Sequence, residues 1–476
     1  TTEIYTLSLH DALPIFEADA LRVRFLNPSP SSWLLMRRFW IYADAPLQGE
    51  FHGGKLEFSA PGLALTENGM VFPKGKTVKL ECAFIPDSRN SSRKSRLTFV
   101  LTDYFRQPQP GTEKTFELNE NEVRRFVLEY PGLDSGPCYL EARLDNGDSI
   151  LLRGRQLFGV AGCRPAPAEL AKLPVVPRPA FELDGGIGQN CGPGQRKSTD
   201  AIDAYSAIGA NTIQLEMLWC DIEPLPGVYD FSDLDRVFLH AARRGKHVNI
   251  SLYTTDGNMP EWLRQKKYSV LDQYGKPAWG RTDWLMLLVP PPSTHVPLYR
   301  EHFRDVWKLI AERYTPSGRV LRFDLRPPLC ERFYFDDFIN DIRGTDNVWD
   351  YSEWARQDFI RYLRDRRKLT LEEVSRRAGT RFESWDAVPF PRPLSGYRAQ
   401  QRDTRPFWLD FMEFKHKFHP ADFFLDTVRA IAAVNSDAQI FLRHYDERYR
   451  DLLSARRIAG GYFSMEHGEP YFTLRG

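Results

Sequence analysis

The sequence predicts a multidomain β + α/β chain: an N-terminal antiparallel β-sandwich, then a (β/α)8 TIM barrel that stops short after its sixth strand. Three observations lead there. Residues 21–160 alternate apolar and polar side chains with period two, in about eight short runs separated by Pro, Gly, Asn and Asp. From 181 onward, strand-like runs alternate with helix-like runs, the pattern of parallel strands joined by helical crossovers. Between them, 161–180 is rich in Pro and Ala and carries no periodicity, which marks a linker. The predicted organisation is therefore 16–160 sandwich, 161–180 linker and 181–476 barrel. Residues 1–15 (TTEIYTLSLHDALPI) resemble a translated sequencing adapter and are set apart from the fold reasoning.

Composition narrows the function classes. The 476 residues carry 64 Lys+Arg against 63 Asp+Glu, a net charge of +1, which argues against a dedicated nucleic-acid binder. No apolar run approaches the roughly 18 residues that span a bilayer, so no membrane partner is expected. Six cysteines without a CxxC pair predict neither a disulfide scaffold nor a zinc ribbon. Cys191, Cys220 and Cys330 each follow a predicted strand, and buried free thiols are the favoured reading for them. An aromatic content of 13% suits sugar-stacking surfaces or large cores equally.

The elements follow in order. Strand runs include Lys55–Ser59, Thr77–Phe84, Arg96–Thr102, Arg124–Tyr130 and Cys138–Leu144, with a hairpin signal at Asp145-Asn146-Gly147-Asp148. In the second part, Phe181–Leu183 reads as a strand ending at Asp184-Gly185-Gly186. Ser198–Ile208 reads as a helix closed by Gly209. Thr212–Leu218, His247–Leu252, Val320–Leu325, Gln439–Leu442 and Tyr462–Met465 are the further strands. Ser232 to Asp235 gives a capping-box-like start to a helix with Leu234, Val237, Phe238, Ala241 and Ala242 on one face. Thr294–Tyr314 is a long helix. An insertion then holds helices at Ser352–Arg367 and Thr370–Ala378, the second opened by Thr370 and Glu373. Asp184, Glu216, Trp219, Tyr253, Glu331, His444 and Glu466 sit where predicted strands end, and barrel enzymes place their chemistry at that rim. No GxGxxG or GxxxxGKS pattern follows a strand, which weakens nucleotide-binding readings.

Residues 210–252 resemble the second and third βα units of clan A glycoside hydrolases. The matching positions are Trp219, Glu223, Pro224, Gly227, Tyr229, Asp230, Phe231, Leu234 and Asp235. Met259 to Leu263, Asp272, Gly275, Leu371 to Glu373, Ala378 to Thr380 and Trp385 extend the likeness toward glycoside hydrolase family 42, the β-galactosidase family. The resemblance covers about 180–470 and leaves the sandwich aside. It implies retaining hydrolysis of a β-linked oligo- or polysaccharide with no cofactor.

Retaining glycosidases use two carboxyl groups about 5–5.5 Å apart. The resemblance puts the acid/base at Glu331, after strand four; the competing reading is a rim carboxylate paired with Arg326 or Arg332. The family carries Asn before the acid/base, where this chain has Cys330, which cannot supply two amide hydrogen bonds. The nucleophile belongs to strand seven, which would lie beyond Gly476. Glu466 is the substitute within the sequence, read as nucleophile, substrate-side residue or structural group. Asp184, Glu216, Trp219, Tyr253, Cys330 and His444 are the expected substrate contacts, and no metal is expected. Glu223 is expected to be structural. A non-catalytic carbohydrate-binding protein on the same fold is the alternative, favoured by Cys330. Neither localisation nor oligomeric state follows from the sequence.

Overall fold

A computed structural model describes residues 54–63, 69–86, 95–118, 123–147, 150–187, 194–254, 258–277, 280–281, 286–287, 292–325, 348, 350–393, 404–442 and 462–465. Two sheets form first along the chain. One has the order β1 (Lys55–Ser59), β3 (Val78–Ile85), β6 (Arg124–Tyr130) and is antiparallel throughout. The other has the order β2 (Met70–Phe72), β8 (Ile150–Val160), β7 (Gly136–Asp145), β4 (Ser95–Asp103), β5 (Lys114–Leu118). It is antiparallel except where β2 runs parallel to β8.

Period-two side-chain direction explains both sheets. On β3, Val78, Leu80, Cys82 and Phe84 are buried while Lys79 is exposed. The partner residues on β6 are Tyr130, Leu128 and Phe126, opposite Val78, Leu80 and Cys82. Leu97, Phe99 and Leu101 of β4, with Leu140, Ala142 and Leu144 of β7, close the same apolar core. Each fully buried Phe or Leu there contributes about 1.5–3 kcal/mol. The β7–β8 hairpin turns where expected, with Gly147 at φ 91°, a conformation that favours glycine.

The segment 161–180 is anchored along its length. Arg319 donates to Pro174 O at 2.7 Å, Arg313 to Arg164 O and Pro165 O at 2.9 and 3.1 Å, and His247 Nε2 lies 3.0 Å from Pro177 O. Proline-rich backbone lacks N–H donors but keeps its carbonyls, so guanidinium donors suit it. Arg319 and His247 sit at or beside strand starts, so the later part of the segment passes the N-terminal end of the following sheet.

That sheet is parallel, with β9 (Asp184–Ile187), β10 (Thr212–Leu218), β11 (His247–Tyr253), β14 (Val320–Leu325), β15 (Gln439–Leu442) and β16 (Tyr462–Met465) side by side in chain order. The two-residue strands β12 (Gly280–Arg281) and β13 (Met286–Leu287) pair separately. Helices α1 (Asp200–Ala207), α2 (Trp219–Ile222), α3 (Ser232–Arg243) and α4 (Pro297–Tyr314) join the strands. One row of strand residues is apolar: Ile213, Leu215, Met217, Val248, Ile250, Leu252, Phe323, Leu325 and Ile440. It packs on Val237, Phe238, Phe303, Trp307 and, from a later helix, Val428. The start of α3 differs in detail from the expected capping box. Phe231 is its N-cap, and the Asp230 carboxylate accepts from Ser232 N at 2.8 Å.

The insertion between β14 and β15 holds α5 (Glu353–Arg361), α6 (Leu371–Ala378) and α7 (Pro406–Glu413), and α8 (His419–Val434) then packs back on the parallel sheet. π-Helical turns follow α5 at Tyr362–Arg366 and α7 at Phe414–Phe418. Phe359, Leu363, Val374, Phe390, Phe407 and Phe411 give the insertion an apolar cluster of its own. The capping box at Thr370 and Glu373 forms as the sequence predicts, and Gly379 closes α6 at φ 68°.

Candidate active site

The row of strand residues facing away from the helices is polar and still buried. It comprises Thr212, Gln214 and Glu216 on β10, His247, Asn249 and Ser251 on β11, and Arg322 and Asp324 on β14. Register places Gln214, Asn249 and Arg322 in one layer and Glu216, Ser251 and Asp324 in the next, toward the C-terminal end. Buried polar groups cost free energy unless paired. Arg322 answers this cost for the carboxylates, while the Gln214 and Ser251 side chains find no partner among the described residues. It donates to Glu182 at 2.6 Å, to Asp184 at 2.9 Å and to Asp324 at 3.1 Å, and its guanidinium lies over the Phe441 ring. Asn249 Nδ2 donates to the same Glu182 and Asp184. Burial raises the Asp184 carboxyl, and the Arg322 charge opposes the shift.

This geometry corrects the expectation for Asp184. It opens β9 instead of ending a strand, and it pairs in register with Thr212, the first residue of β10. Asp184 thus lies at the end of the sheet opposite the rim. The Asn211 side chain explains the shift: it accepts from Leu183 N and donates to Phe181 O, holding 181–183 outside the ladder. The glycine pair that reads as a turn is strand instead. A Cβ on Gly185 would meet Tyr205 at 2.3 Å, so the strand needs glycine to lie against α1. Glu216 also differs from expectation. It lies within β10, two residues short of its end, buried in the polar row.

Trp219 follows β10 as predicted but is fully buried. Its indole N–H donates to Glu223 at 3.0 Å, and its ring packs edge-on against Tyr299 and Phe303. Its face is therefore committed to the core, not to a sugar. Tyr253 ends β11 and stays partly exposed, at the rim where it was expected. Glu331, Glu466, Cys330 and His444 lie outside the described residues, as does Cys191.

Glu223 is a hub of the rim turn. With no exposed surface, it accepts from Trp219, from Gly227 N at 2.9 Å and from His302 Nδ1 at 2.5 Å. Burial opposes protonation of His302, but Glu223 more than offsets it and raises the imidazole pKa. Gly227 takes φ 71°, and its carbonyl accepts from Gly162 N at 2.8 Å, while Tyr229 N donates to Gly162 O at 2.9 Å. The Glu-Pro-x-x-Gly-x-Tyr-Asp-Phe pattern is thus a fixed turn with each element held. The N-terminal sheets reach the same rim. Tyr104 donates to Cys220 O at 3.1 Å, and Arg196 pairs with Asp103 at 3.0 Å. Beside them Asp221 accepts from Gly194 N at 2.8 Å, and burial pushes its carboxyl up to about 6. No described helix is long and apolar enough to cross a membrane.

Sequence reasoning missed Arg322, Asp324, Asn249 and Ser251 as members of one network. Their signal was strict alternation inside each strand, where strand ends had drawn the attention.

The chain is similar in sequence to known β-galactosidases. The β-galactosidase BbgII of Bifidobacterium bifidum is 27% identical over 188 residues, 38% of this chain and 24% of that protein. The β-galactosidase GalA of Bacillus licheniformis is 25% identical over 173 residues, 33% of this chain and 24% of that protein. The matched stretch thus spans about a quarter of the length of these curated relatives. Among solved structures, a β-galactosidase from the psychrophilic Marinomonas ef1 is 17% identical with a TM-score of 0.42, covering 58% of this chain and 40% of that one. The sequence profile of glycoside hydrolase family 42, described as β-galactosidase, matches residues 194–452, more than half of the 476, and the chain belongs to that family.

Proposed function

We propose that this chain is part of a retaining β-galactosidase-like glycosidase and supplies its acid/base, built as a β-sandwich followed by a (β/α)8 barrel. Family membership over 194–452 is the observation that carries the reading, and β-glycosidase-like chemistry follows from it. The parallel strands in chain order, with one apolar row against the helices and one polar row opposite, support the barrel. Glu331 protonates the leaving oxygen, and a second carboxylate attacks the anomeric carbon. That second group is Glu466, or a Glu on a further strand. Tyr253 at the rim and His444 contact the sugar, while Glu216 and the polar row beneath orient the groups above. The near-zero net charge suits a neutral sugar.

The test is turnover of a panel of aryl β-glycosides by the chain and by Glu331→Gln. Loss of about 10²–10⁴-fold in kcat/KM is expected for an acid/base. Unchanged turnover removes Glu331 from the mechanism. Cys330, where the family has Asn, favours a second reading as a carbohydrate-binding protein without turnover. Sugar binding by wild-type chain that turns over no member of the panel would support it.

A further inference from the structure

The insertion and the parallel-sheet domain each have an apolar cluster, and between them two imidazoles and a carboxylate lie beside the rings of Phe414 and Phe423. His295 lies just before α4, Asp358 in α5, and His419 opens α8. All three are buried, with 5%, 7% and 4% of their surface exposed. One ligating atom from each lies within 4.8 Å of the other two. His295 Nδ1 is 2.8 Å from Asp358 Oδ2, and the two imidazoles stack with ring centres 3.6 Å apart. A cavity of about 150 Å³ adjoins the group; its lining includes Asp358, Arg361, Tyr362, Arg366, His419 and Asp422. The π-helical turns at Tyr362–Arg366 and Phe414–Phe418 both border it. Such turns interrupt α-helices often where a site is built.

We propose that His295, Asp358 and His419 bind a divalent first-row transition metal ion, Zn²⁺ in class, which clasps the insertion to the barrel helices. Two imidazoles and one carboxylate suit zinc, cobalt or nickel better than calcium or magnesium. Zinc bonds of about 2.0–2.1 Å at tetrahedral angles need ligand atoms about 3.3–3.5 Å apart. To reach that spacing the triangle must contract and the stacked rings must splay as they turn toward the ion. The cavity beside it has room for a water as the fourth ligand.

The competing cations can yield. Arg361 pairs with Asp358, but its side chain is 58% exposed and can turn to water. Arg300 lies 3.8 Å from Asp358 and has its shorter bond, 2.7 Å, to Asp422. The ligands are far apart in sequence, 63 residues from His295 to Asp358. An ion held there closes long loops, and binding only the folded chain stabilises it.

Cobalt(II) titration of the chelator-treated full chain tests this, read by visible d–d absorption and by Tm. One Co²⁺ per chain is expected, with a Tm that climbs as free Co²⁺ rises. His419→Asn and Asp358→Asn should each lose the band and the Tm response. Arg361→Gln, at an exposed side chain, should tighten binding roughly tenfold by removing a competing charge. No stoichiometric uptake by the wild-type chain overturns the site. So does a band that survives in His419→Asn, or a thiolate-to-cobalt charge-transfer band, which assigns the ion to cysteine. If the ligand variants fail to fold, unchanged affinity in Arg361→Gln overturns it.

Discussion

The N-terminal sheets and the parallel sheet bury their strands by opposite chemistry. In the first, alternation is one-sided: Leu80, Cys82, Phe126 and Leu128 turn inward, while Lys79 and Val127 face out, Val127 with half its surface exposed. In the second, both faces are buried and only one is apolar. The other carries Gln214, Glu216, Asn249, Ser251, Arg322 and Asp324. An apolar core is non-directional and gains stability from area alone. A buried polar row gains little net stability and must be satisfied group by group. The N-terminal region is therefore built for stability. The parallel sheet spends stability to hold charged and amide groups in fixed positions below the rim.

Matched substitutions break this comparison most sharply. Arg322→Met leaves Glu182, Asp184 and Asp324 without their shared cation, and a cost of about 3–5 kcal/mol at neutral pH is expected. Phe99→Ala in the first core should cost a similar amount, about 3–5 kcal/mol. Their pH dependence separates them. In Arg322→Met the Asp184 carboxyl, already raised by burial, loses the charge that opposes the rise, so the deficit should shrink as pH falls. The Phe99→Ala deficit should not change with pH. Urea unfolding at pH 4 and pH 7.5 reads both. Parallel curves for the two variants would mean that the Arg322 network is not an electrostatic unit.

Much of this division is legible in sequence. Val78, Leu80, Cys82 and Phe84 alternate with polar neighbours, and Thr370 and Glu373 announce their capping box. The parallel strands are also legible as runs, and the fixed turn around Glu223 is legible from its residue pattern. What the sequence hides is partnership across distance. Arg322 and Asp184 are 138 residues apart, and nothing local to either names the other. Asp184 reads as a strand end because Gly185-Gly186 reads as a turn, and only Tyr205 of α1 explains why glycine is needed in a strand there. His295 and Asp358 are hidden for the same reason. The candidate acid/base Glu331 was legible only through resemblance, since one carboxylate after a strand has no distinguishing pattern.

Asp221 sharpens the comparison where the two regions meet. Its folded-state carboxyl is raised to about 6 from an ordinary 3.8, chiefly by burial, with the Gly194 N–H opposing. A raised carboxyl is fully compatible with folding below pH 3.8, and stability is lost as pH rises through about 6. At pH 8 the charged form costs roughly 2–3 kcal/mol. Asp221→Asn keeps an oxygen for Gly194 N and carries no charge. It should raise stability by about 2 kcal/mol at pH 8 and change little at pH 4. Differential scanning calorimetry at the two pH values checks this. Equal effects at both would mean that the Asp221 carboxyl is not raised by its burial at this junction.

The smallest expected effect lies in the insertion, away from both sheets. Thr370 Oγ1 accepts from Glu373 N at 3.2 Å, and Glu373 accepts from Thr370 N at 2.7 Å, so two otherwise orphaned donors at the start of α6 are satisfied. Thr370→Ala removes the first bond and should cost about 1 kcal/mol, while Thr370→Ser should cost less than half of that. The cap touches neither core, so its loss belongs to local opening of 371–378, where only Val374 is fully buried. Amide hydrogen exchange should therefore speed up in α6 about fivefold, with β3 and β10 unchanged. Equal acceleration in β3, β10 and α6 would instead mean that the insertion and both sheets unfold as one cooperative unit, and the contrast between regions would hold for chemistry but not for energetics.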